Sequence, residues 1–83
     1  MNWGGRMPTI STFDAFKITM YANDHNPPHI HLLAIEFEVT LAIGDGRILR
    51  GEAPAKWVRQ AQGFIAANRK SLFARWADLN RGG

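Results

Sequence analysis

The spacing of apolar residues changes once along this chain, and this change constrains the fold more than any other feature. Over residues 36–43 apolar side chains alternate with Glu36, Glu38 and Thr40, as in a strand with one buried face. Beyond Pro54 the apolar residues recur at helical spacing, at Trp57, Val58, Ala61, Phe64 and Ile65. Pro54 suits the first turn of a helix because the amide hydrogen that it lacks is not needed there. The order of strands before helices predicts an α+β fold.

The full pattern predicts a small antiparallel sheet of three to four strands, followed by two C-terminal helices packed on one face. The predicted strands cover residues 13–21, 29–33, 36–43 and 47–50. Gly44-Asp45-Gly46 is a turn signal before the last strand, and Asn68 is a candidate break between the helices. Four helical aromatic residues have core spacing and are expected to pack on the sheet: Trp57, Phe64, Phe73 and Trp76.

The composition is typical of a compact globular protein that lacks cysteine. With 46% hydrophobic and 20% charged residues, the chain is expected to form a packed core. The absence of cysteine excludes disulfides and thiolate metal sites. No apolar run approaches the length of a membrane span or of a secretory signal, so we expect a cytoplasmic protein without membrane contact. We expect residues 1–6 to be a disordered extension and residues 7–81 to form a single domain.

The charge of the chain is modestly basic. The formal net charge is +3 at pH 7, which permits binding to RNA or to an acidic protein because Lys and Arg contact phosphates and carboxylates. The basic residues are dispersed and form no long block, a distribution more typical of a solvated surface. Charge alone therefore does not select a partner.

The three histidines of the chain, His25, His29 and His31, lie within seven residues of one another. Histidine is the side chain best suited to bind metals or transfer protons near neutral pH. Along a strand, His29 and His31 project to the same face with Cα atoms about 6.6 Å apart, a separation that two rings can bridge to share one ion. The placement of His25 depends on the stiff Pro27-Pro28 loop.

The position of Glu38 depends on the hairpin between the second and third predicted strands. If Ala34-Ile35 is a two-residue hairpin loop, Glu38 lies opposite His31 and Thr40 lies opposite His29. A carboxylate would then face a histidine, whereas a longer loop would change the register. Ile35 resists the positive φ that such tight turns require, which favours a different loop.

Three hypotheses for the histidine cluster remain open. In the first, His25, His29 and His31, with Asp24, bind a divalent metal such as zinc, and an open coordination position activates water. In the second, the histidines act as general acid and base without metal while Glu38 orients a ring, which suits cleavage of a phosphodiester. In the third, the rings are structural or contact a partner. Whether the protein is an enzyme is undecided among these alternatives.

A further set of residues carries a family resemblance: Met7-Pro8-Thr9-Ile10-Ser11, Met20-Tyr21, Asn23-Asp24-His25-Asn26-Pro27-Pro28-His29-Ile30-His31, Glu36-Phe37-Glu38 and Gly51-Glu52, with Pro54 following. In these residues the chain from Met7 onward resembles the small bacterial domain of unknown function 4160 family. Such proteins are often encoded beside a second small protein, which implies one component of a toxin–antitoxin-type module. Ile35 departs from the family pattern, which usually has glycine in that turn.

Two functions are therefore expected of the cluster. The resemblance favours a His-rich surface that contacts a small protein encoded alongside, or RNA. The alternative is a metal-dependent hydrolase or nuclease in which His25, His29, His31 and Asp24 bind the metal and Glu38 supports the site. Pairing through an exposed sheet edge would also allow a dimer.

Overall fold

A computed structural model describes residues 9–22 and 24–81 of the chain. The described elements are β1 (Thr9–Thr12), β2 (Lys17–Thr19), β3 (His29–Leu33), β4 (Glu38–Ala42), β5 (Ile48–Glu52) and α1 (Ala55–Asn80). The strands form one antiparallel sheet in the order β1-β2-β3-β4-β5, so each strand pairs with its neighbours in the chain. The predicted α+β class and the antiparallel sheet are confirmed.

One face of the sheet packs against α1 because alternate strand residues are apolar. Ile18, Ile30 and Val39 have no exposed surface and belong to the same apolar cluster as Ala61 and Ile65 of the helix. Full burial of an aliphatic side chain contributes about 1.5–3 kcal/mol to stability. Because side chains alternate along a strand, this packing directs the residues on either side of Ile30 to the other face of the sheet.

The predicted core is confirmed in large part. Alternation over residues 13–21 and 36–43 directs seven strand residues inward, and one of them, Phe37, is only half-buried. The other six are buried as expected, and they are Phe16, Ile18, Met20, Val39, Leu41 and Ile43. Trp76 is buried, while Trp57 and Phe64 pack against the core with part of their surface exposed. The core prediction for Phe73 is wrong, since this residue is 39% exposed. Helical spacing placed Phe73 beside Leu72, but only Leu72 points into the sheet.

The predicted numbers of strands and helices are wrong in detail. The additional strand, β1, carries a single large apolar residue, Ile10, so alternation could not identify it. The two predicted helices are one helix of 26 residues with a kink at Asn68, whose φ of −125° and ψ of 18° are not helical. The Asn68 side chain donates to Phe64 O at 2.9 Å, so it competes with the backbone for the helical acceptor. Residues 69–80 contain neither Gly nor Pro, so the helix continues after the kink at Asn68.

The hairpin between β3 and β4 does not use the two-residue loop at Ala34-Ile35, and the different loop that Ile35 favoured is present. His31 pairs with Thr40 and Leu33 pairs with Glu38, while the Ala34 amide donates to Phe37 O at 2.9 Å. The hairpin therefore turns through residues 34–37, and the register is two residues away from the one that a two-residue loop would give. Ile35 is fully exposed at the tip of this turn.

Two expectations concern the chain beyond its folded elements. The predicted extension over residues 1–6 lies outside the described residues, so its separation from a domain over residues 7–81 stays a prediction. Among the described residues α1 is the one helix, and it lacks the apolar stretch that a membrane-crossing helix needs.

Gly63 offers a mild test of the exposed face of α1. A Cβ added at Gly63 would meet nothing within 4 Å, so Gly63→Ala is expected to raise the free energy of unfolding by about 0.5–1 kcal/mol through helix propensity. Urea unfolding followed by circular dichroism measures this change. The reverse substitution at a neighbouring exposed position, Ala66→Gly, should lower the free energy by a similar amount. A lower free energy of unfolding in Gly63→Ala would contradict the open space around Gly63.

Candidate functional site

Two of the three histidines form the buried part of the candidate site. His29 and His31 lie on β3, on either side of the core residue Ile30, and their ring centroids are 5.0 Å apart. Their side chains are 5% and 11% exposed. The expected placement on one face therefore brings the two rings together, and both rings are buried.

Asp24 completes this cluster from the loop that precedes β3. Its Oδ2 atom lies 2.9 Å from His29 Nε2 and 3.4 Å from His31 Nε2. One donor atom from each of the three residues lies within 4.8 Å of the others. We refer to Asp24, His29 and His31 as the Asp-His-His cluster.

The C-terminal end of α1 holds the Asp24 loop in place. The Asp24 amide donates to Asn80 Oδ1 at 2.6 Å, and Asn80 Nδ2 donates to Trp76 O at 2.9 Å. The Trp76 ring lies 5.0 Å from the His29 ring, between centroids. A hydrogen bond and an aromatic contact therefore connect the last turns of the helix to two members of the cluster.

The hydrogen bonds of the rings determine which nitrogen faces Asp24. His29 Nδ1 lies 2.6 Å from Pro27 O, and because a carbonyl oxygen can only accept, Nδ1 carries the hydrogen. In the neutral ring, Nε2 then presents a lone pair to the Asp24 carboxylate. Either a second proton on His29 or a cation shared by the two atoms makes this contact favourable.

His31 has a similar arrangement. Its Nδ1 lies 3.5 Å from Thr40 Oγ1 and 3.7 Å from Glu38 Oε2, both of which can accept, while its Nε2 faces Asp24. Each histidine thus has acceptors at Nδ1 and the same carboxylate at Nε2. A neighbouring acceptor at the second nitrogen is the arrangement that orients metal-binding histidines in proteins.

Burial and hydrogen bonding determine the charges of the cluster. Burial lowers the pKa of His31, although its hydrogen bond to Asp24 opposes this effect, so a neutral ring is favoured. Burial alone would raise the pKa of Asp24, but the hydrogen bond from the His25 amide and the contacts with the rings of His31 and His29 outweigh it and lower that pKa. The cluster therefore presents an ionised carboxylate beside a neutral His31 ring.

The cluster opens onto a cavity of about 400 Å³ on the face of the sheet away from the core. The cavity is lined by Tyr21, Asp24, His25, Pro27, His29, His31, Thr40, Leu49 and Arg50. The Tyr21 ring lies 4.3 Å from the His31 ring, between centroids, and forms part of this wall. A small ligand could therefore reach the Nε2 side of His31.

The other two predicted site residues lie apart from the cluster. His25 is 86% exposed, and its Nδ1 contacts Asp24 Oδ1 at 3.1 Å, the carboxylate oxygen that faces away from the other rings. Glu38 is mostly exposed and pairs with Leu33, yet it still reaches His31 Nδ1 diagonally across the strands. The structure thus joins Asp24, but not His25, to His29 and His31.

Four residues of the site could not be identified from the sequence pattern. Asn80 and Trp76 are more than 40 positions from the histidines, and their helical spacing indicated packing alone. Tyr21 and Arg50 line the cavity because β2 and β5 belong to the same sheet. The resemblance does contain Tyr21, which is the one signal in the sequence for any of the four.

A comparison with family models decides the classification. The model of a domain of unknown function (DUF4160) matches residues 15–77 of the chain. The chain belongs to the DUF4160 family. The match includes the whole Asp-His-His cluster and every residue that lines the cavity, and it confirms the resemblance expected from the sequence. No curated protein and no solved structure matches this DUF4160 chain significantly.

Proposed function

We propose that this DUF4160 chain binds a divalent transition metal ion through the Asp-His-His cluster and catalyses a hydrolysis in the adjoining cavity. The observation that carries the proposal is the convergence of two Nε2 atoms on one carboxylate oxygen, while each Nδ1 faces an acceptor. When the His29 ring is neutral and no cation is bound, a lone pair and a carboxylate oxygen face each other at 2.9 Å. A metal ion turns that repulsion into coordination.

Two of the three ligand-to-ligand distances agree with those around one ion, and the third lies within 4.8 Å. Two ligands bound at about 2.0 Å to a tetrahedral zinc ion lie about 3.3 Å apart. The Asp24 oxygen lies 2.9 Å and 3.4 Å from the two Nε2 atoms. Nitrogen and oxygen ligands suit zinc and similar ions. Three protein ligands leave a fourth position for water or substrate, which is typical of catalytic sites and not of structural sites.

The chain's own residues then divide the chemical tasks. Asp24, His29 and His31 hold the ion, and the acceptors Pro27 O and Glu38 fix the ring orientations. A metal bound there would supply a water molecule whose pKa is lowered to about 7. In the hydrolysis, the water oxygen bonds to the electrophilic atom of an ester, the bond to the leaving oxygen breaks, and a proton of the water ends on that leaving oxygen.

Metal content tests the first half of this proposal. Protein purified without a metal-affinity tag, exposed to zinc and dialysed is expected to retain about one ion per chain, as expected for a three-ligand site. His29→Ala should abolish retention, whereas His25→Ala should preserve it because the His25 ring lies outside the cluster. Elemental analysis measures both. If neither variant loses zinc, or if the wild type retains none, the proposed site is rejected.

Hydrolysis of bis(p-nitrophenyl) phosphate, followed by release of p-nitrophenolate, tests the second half. Zinc-loaded wild-type protein is expected to turn over this activated ester, and His29→Ala protein is expected not to. A zinc-loaded protein that cleaves neither this phosphate ester nor p-nitrophenyl acetate would contradict the hydrolase proposal while leaving the metal site intact.

Asn80→Ala tests whether α1 positions Asp24. Loss of the Asn80 acceptor frees the Asp24 amide without removing a ligand, so we expect zinc affinity to fall about 10-fold, the lower end of the effect of removing an orienting partner. Competition with a chelating dye measures the affinity. Asn68→Ala is the control, because Asn68 lies in the same helix but bonds only to Phe64 O. Equal affinities in both variants would show that the contact is dispensable.

A second candidate function is membership of a toxin–antitoxin-type two-protein module. The observation in its favour is Ile35, which is fully exposed at a hairpin tip beside an apolar cavity of about 450 Å³ lined by residues such as Phe13 and Leu33. An exposed apolar patch of this kind is typical of protein contact sites. Of the predicted histidine surface only His25 is accessible, which favours the hairpin tip as the contact for a small protein encoded alongside.

Co-purification tests this second candidate. A tagged DUF4160 chain is expected to retain the small protein encoded beside it, and Ile35→Asn should weaken that complex while His25→Ala should not. Disruption by His25→Ala alone would favour the histidine surface instead. RNA is the other expected partner, and its binding should fall steeply with salt because counterions are released. A chain that binds neither the small protein nor RNA would contradict membership of such a module.

A further inference from the structure

We infer that the cavity beside the Asp-His-His cluster binds a phosphoryl group, with Arg50 as its second point of attachment. This inference rests on the proposed function, because one phosphate oxygen takes the open metal position. The cluster alone does not select a substrate class.

The sheet register aligns Arg50 with the cluster. His31 on β3 pairs with Thr40 on β4, and Thr40 pairs with Arg50 on β5. Paired residues project to the same face, and strands lie about 4.8 Å apart, so the Arg50 backbone is about 10 Å from that of His31. Both residues line the same cavity. The arginine side chain is long enough to extend across Thr40 toward the cluster.

The Arg50 guanidinium is free to bind a ligand. Arg47 and Arg81 each form an ion pair with an aspartate, and Arg69 donates to a backbone carbonyl. Within residues 9–22 and 24–81, the Arg50 side chain forms neither an ion pair nor a hydrogen bond. Its five donors therefore need no rearrangement to contact an anion in the cavity.

The charge balance of the metal-loaded cavity favours an anion. Asp24 is the one carboxylate ligand of a doubly charged ion, and Arg50 adds a further positive charge to the lining of the same cavity. Glu38 approaches the Nδ1 side of His31, away from the ligand atoms. The cavity therefore has excess positive charge where a substrate binds, which both attracts an anion and stabilises charge that develops during hydrolysis.

The geometry favours phosphate over carboxylate. A guanidinium binds two oxygens of one group in parallel, which fixes that pair in a plane. A carboxylate has no third oxygen to offer the metal. A tetrahedral phosphoryl group can present two oxygens to Arg50 and another to the ion. The substrate class is therefore a phosphate ester, in which water bonds to phosphorus and the alcohol oxygen leaves with a proton.

Calorimetric titration of zinc-loaded protein with inorganic phosphate tests this inference. Arg50→Gln is expected to weaken phosphate binding about 10- to 100-fold, the effect of removing hydrogen bonds to a charged group. Arg50→Lys should weaken it less, because the charge remains but the paired donors are lost. Arg47→Gln is the matched control, since it removes the same charge outside the cavity, and it should bind phosphate as the wild type does. Acetate should bind much more weakly than phosphate.

The outcomes separate this inference from the proposed function. Zinc content is measured on every variant, so a wild type that retains no zinc overturns the proposed metal site itself. Normal zinc with equal phosphate affinities in Arg50→Gln and Arg47→Gln overturns the role of Arg50 alone. Acetate affinity equal to that of phosphate overturns the phosphoryl class. Adenosine monophosphate and a single-stranded RNA then distinguish the source, and the one whose binding depends on Arg50 identifies a terminal phosphate or a phosphodiester.

Discussion

Zinc loading is expected to raise the free energy of unfolding by about 4 kcal/mol at a free zinc concentration 1,000 times the dissociation constant. The reason is that the three ligands come together only in the folded chain, since Asp24 and His31 are held by the loop and by β3 respectively. Asp24→Asn should remove most of this gain, because a neutral amide oxygen is a far weaker ligand for zinc than a carboxylate. Urea unfolding with zinc and with a chelator measures the difference.

Asp14→Asn is the matched control for that experiment. Asp14 is exposed in the turn between β1 and β2, away from the cluster, so the same chemical change there should leave the gain from zinc intact. A gain in Asp24→Asn as large as in the wild type would place the bound zinc elsewhere in the protein. If both variants lose the stability gained from zinc, the gain depends on the overall charge of the protein and not on the cluster.

Gly51→Ala is expected to lower the free energy of unfolding by about 2–5 kcal/mol, the sum of a strained backbone and a steric collision. Gly51 has a φ of 87°, which side chains with a Cβ rarely adopt, and an added Cβ would collide with Glu38 O of the neighbouring strand. The backbones of β4 and β5 can approach each other there because residue 51 has no side chain. Urea unfolding followed by circular dichroism measures the loss.

Gly44→Ala is the control for this substitution. A Cβ at Gly44 would meet nothing within 4 Å, and its φ lies outside the positive range, so a change of no more than about 0.5 kcal/mol is expected, as at most surface positions. A Gly51→Ala protein as stable as Gly44→Ala would contradict the close approach of the two strands. Insoluble Gly51→Ala protein beside soluble Gly44→Ala protein would agree with it.

The sequence predicted the elements whose apolar spacing is unambiguous. Alternation identified the buried face of β4, and helical spacing identified both halves of α1, because a core must exclude water from those residues. The same rule could not identify β1, whose single large apolar residue, Ile10, carries no period. Nor could it show that the helix continues through Asn68, since a kinked helix and two helices share one apolar spacing.

The candidate site was predictable as far as local geometry extends. Two residues apart on one strand, His29 and His31 share a face whatever else the chain does. Asp24 was a candidate because of its chemistry, and the structure brings it within 3.4 Å of both rings. Asn80 and Arg50 were beyond prediction, because each reaches the site through tertiary contacts that no local pattern encodes.

The hydrogen bond between Asp24 and Asn80 joins positions 56 residues apart. A ribosome makes the chain from its N-terminus, so all three histidines are added before Asn80. Until Asn80 is in place, the Asp24 loop lacks this anchor. Zinc binding at the proposed site would therefore follow synthesis of the last helical turn.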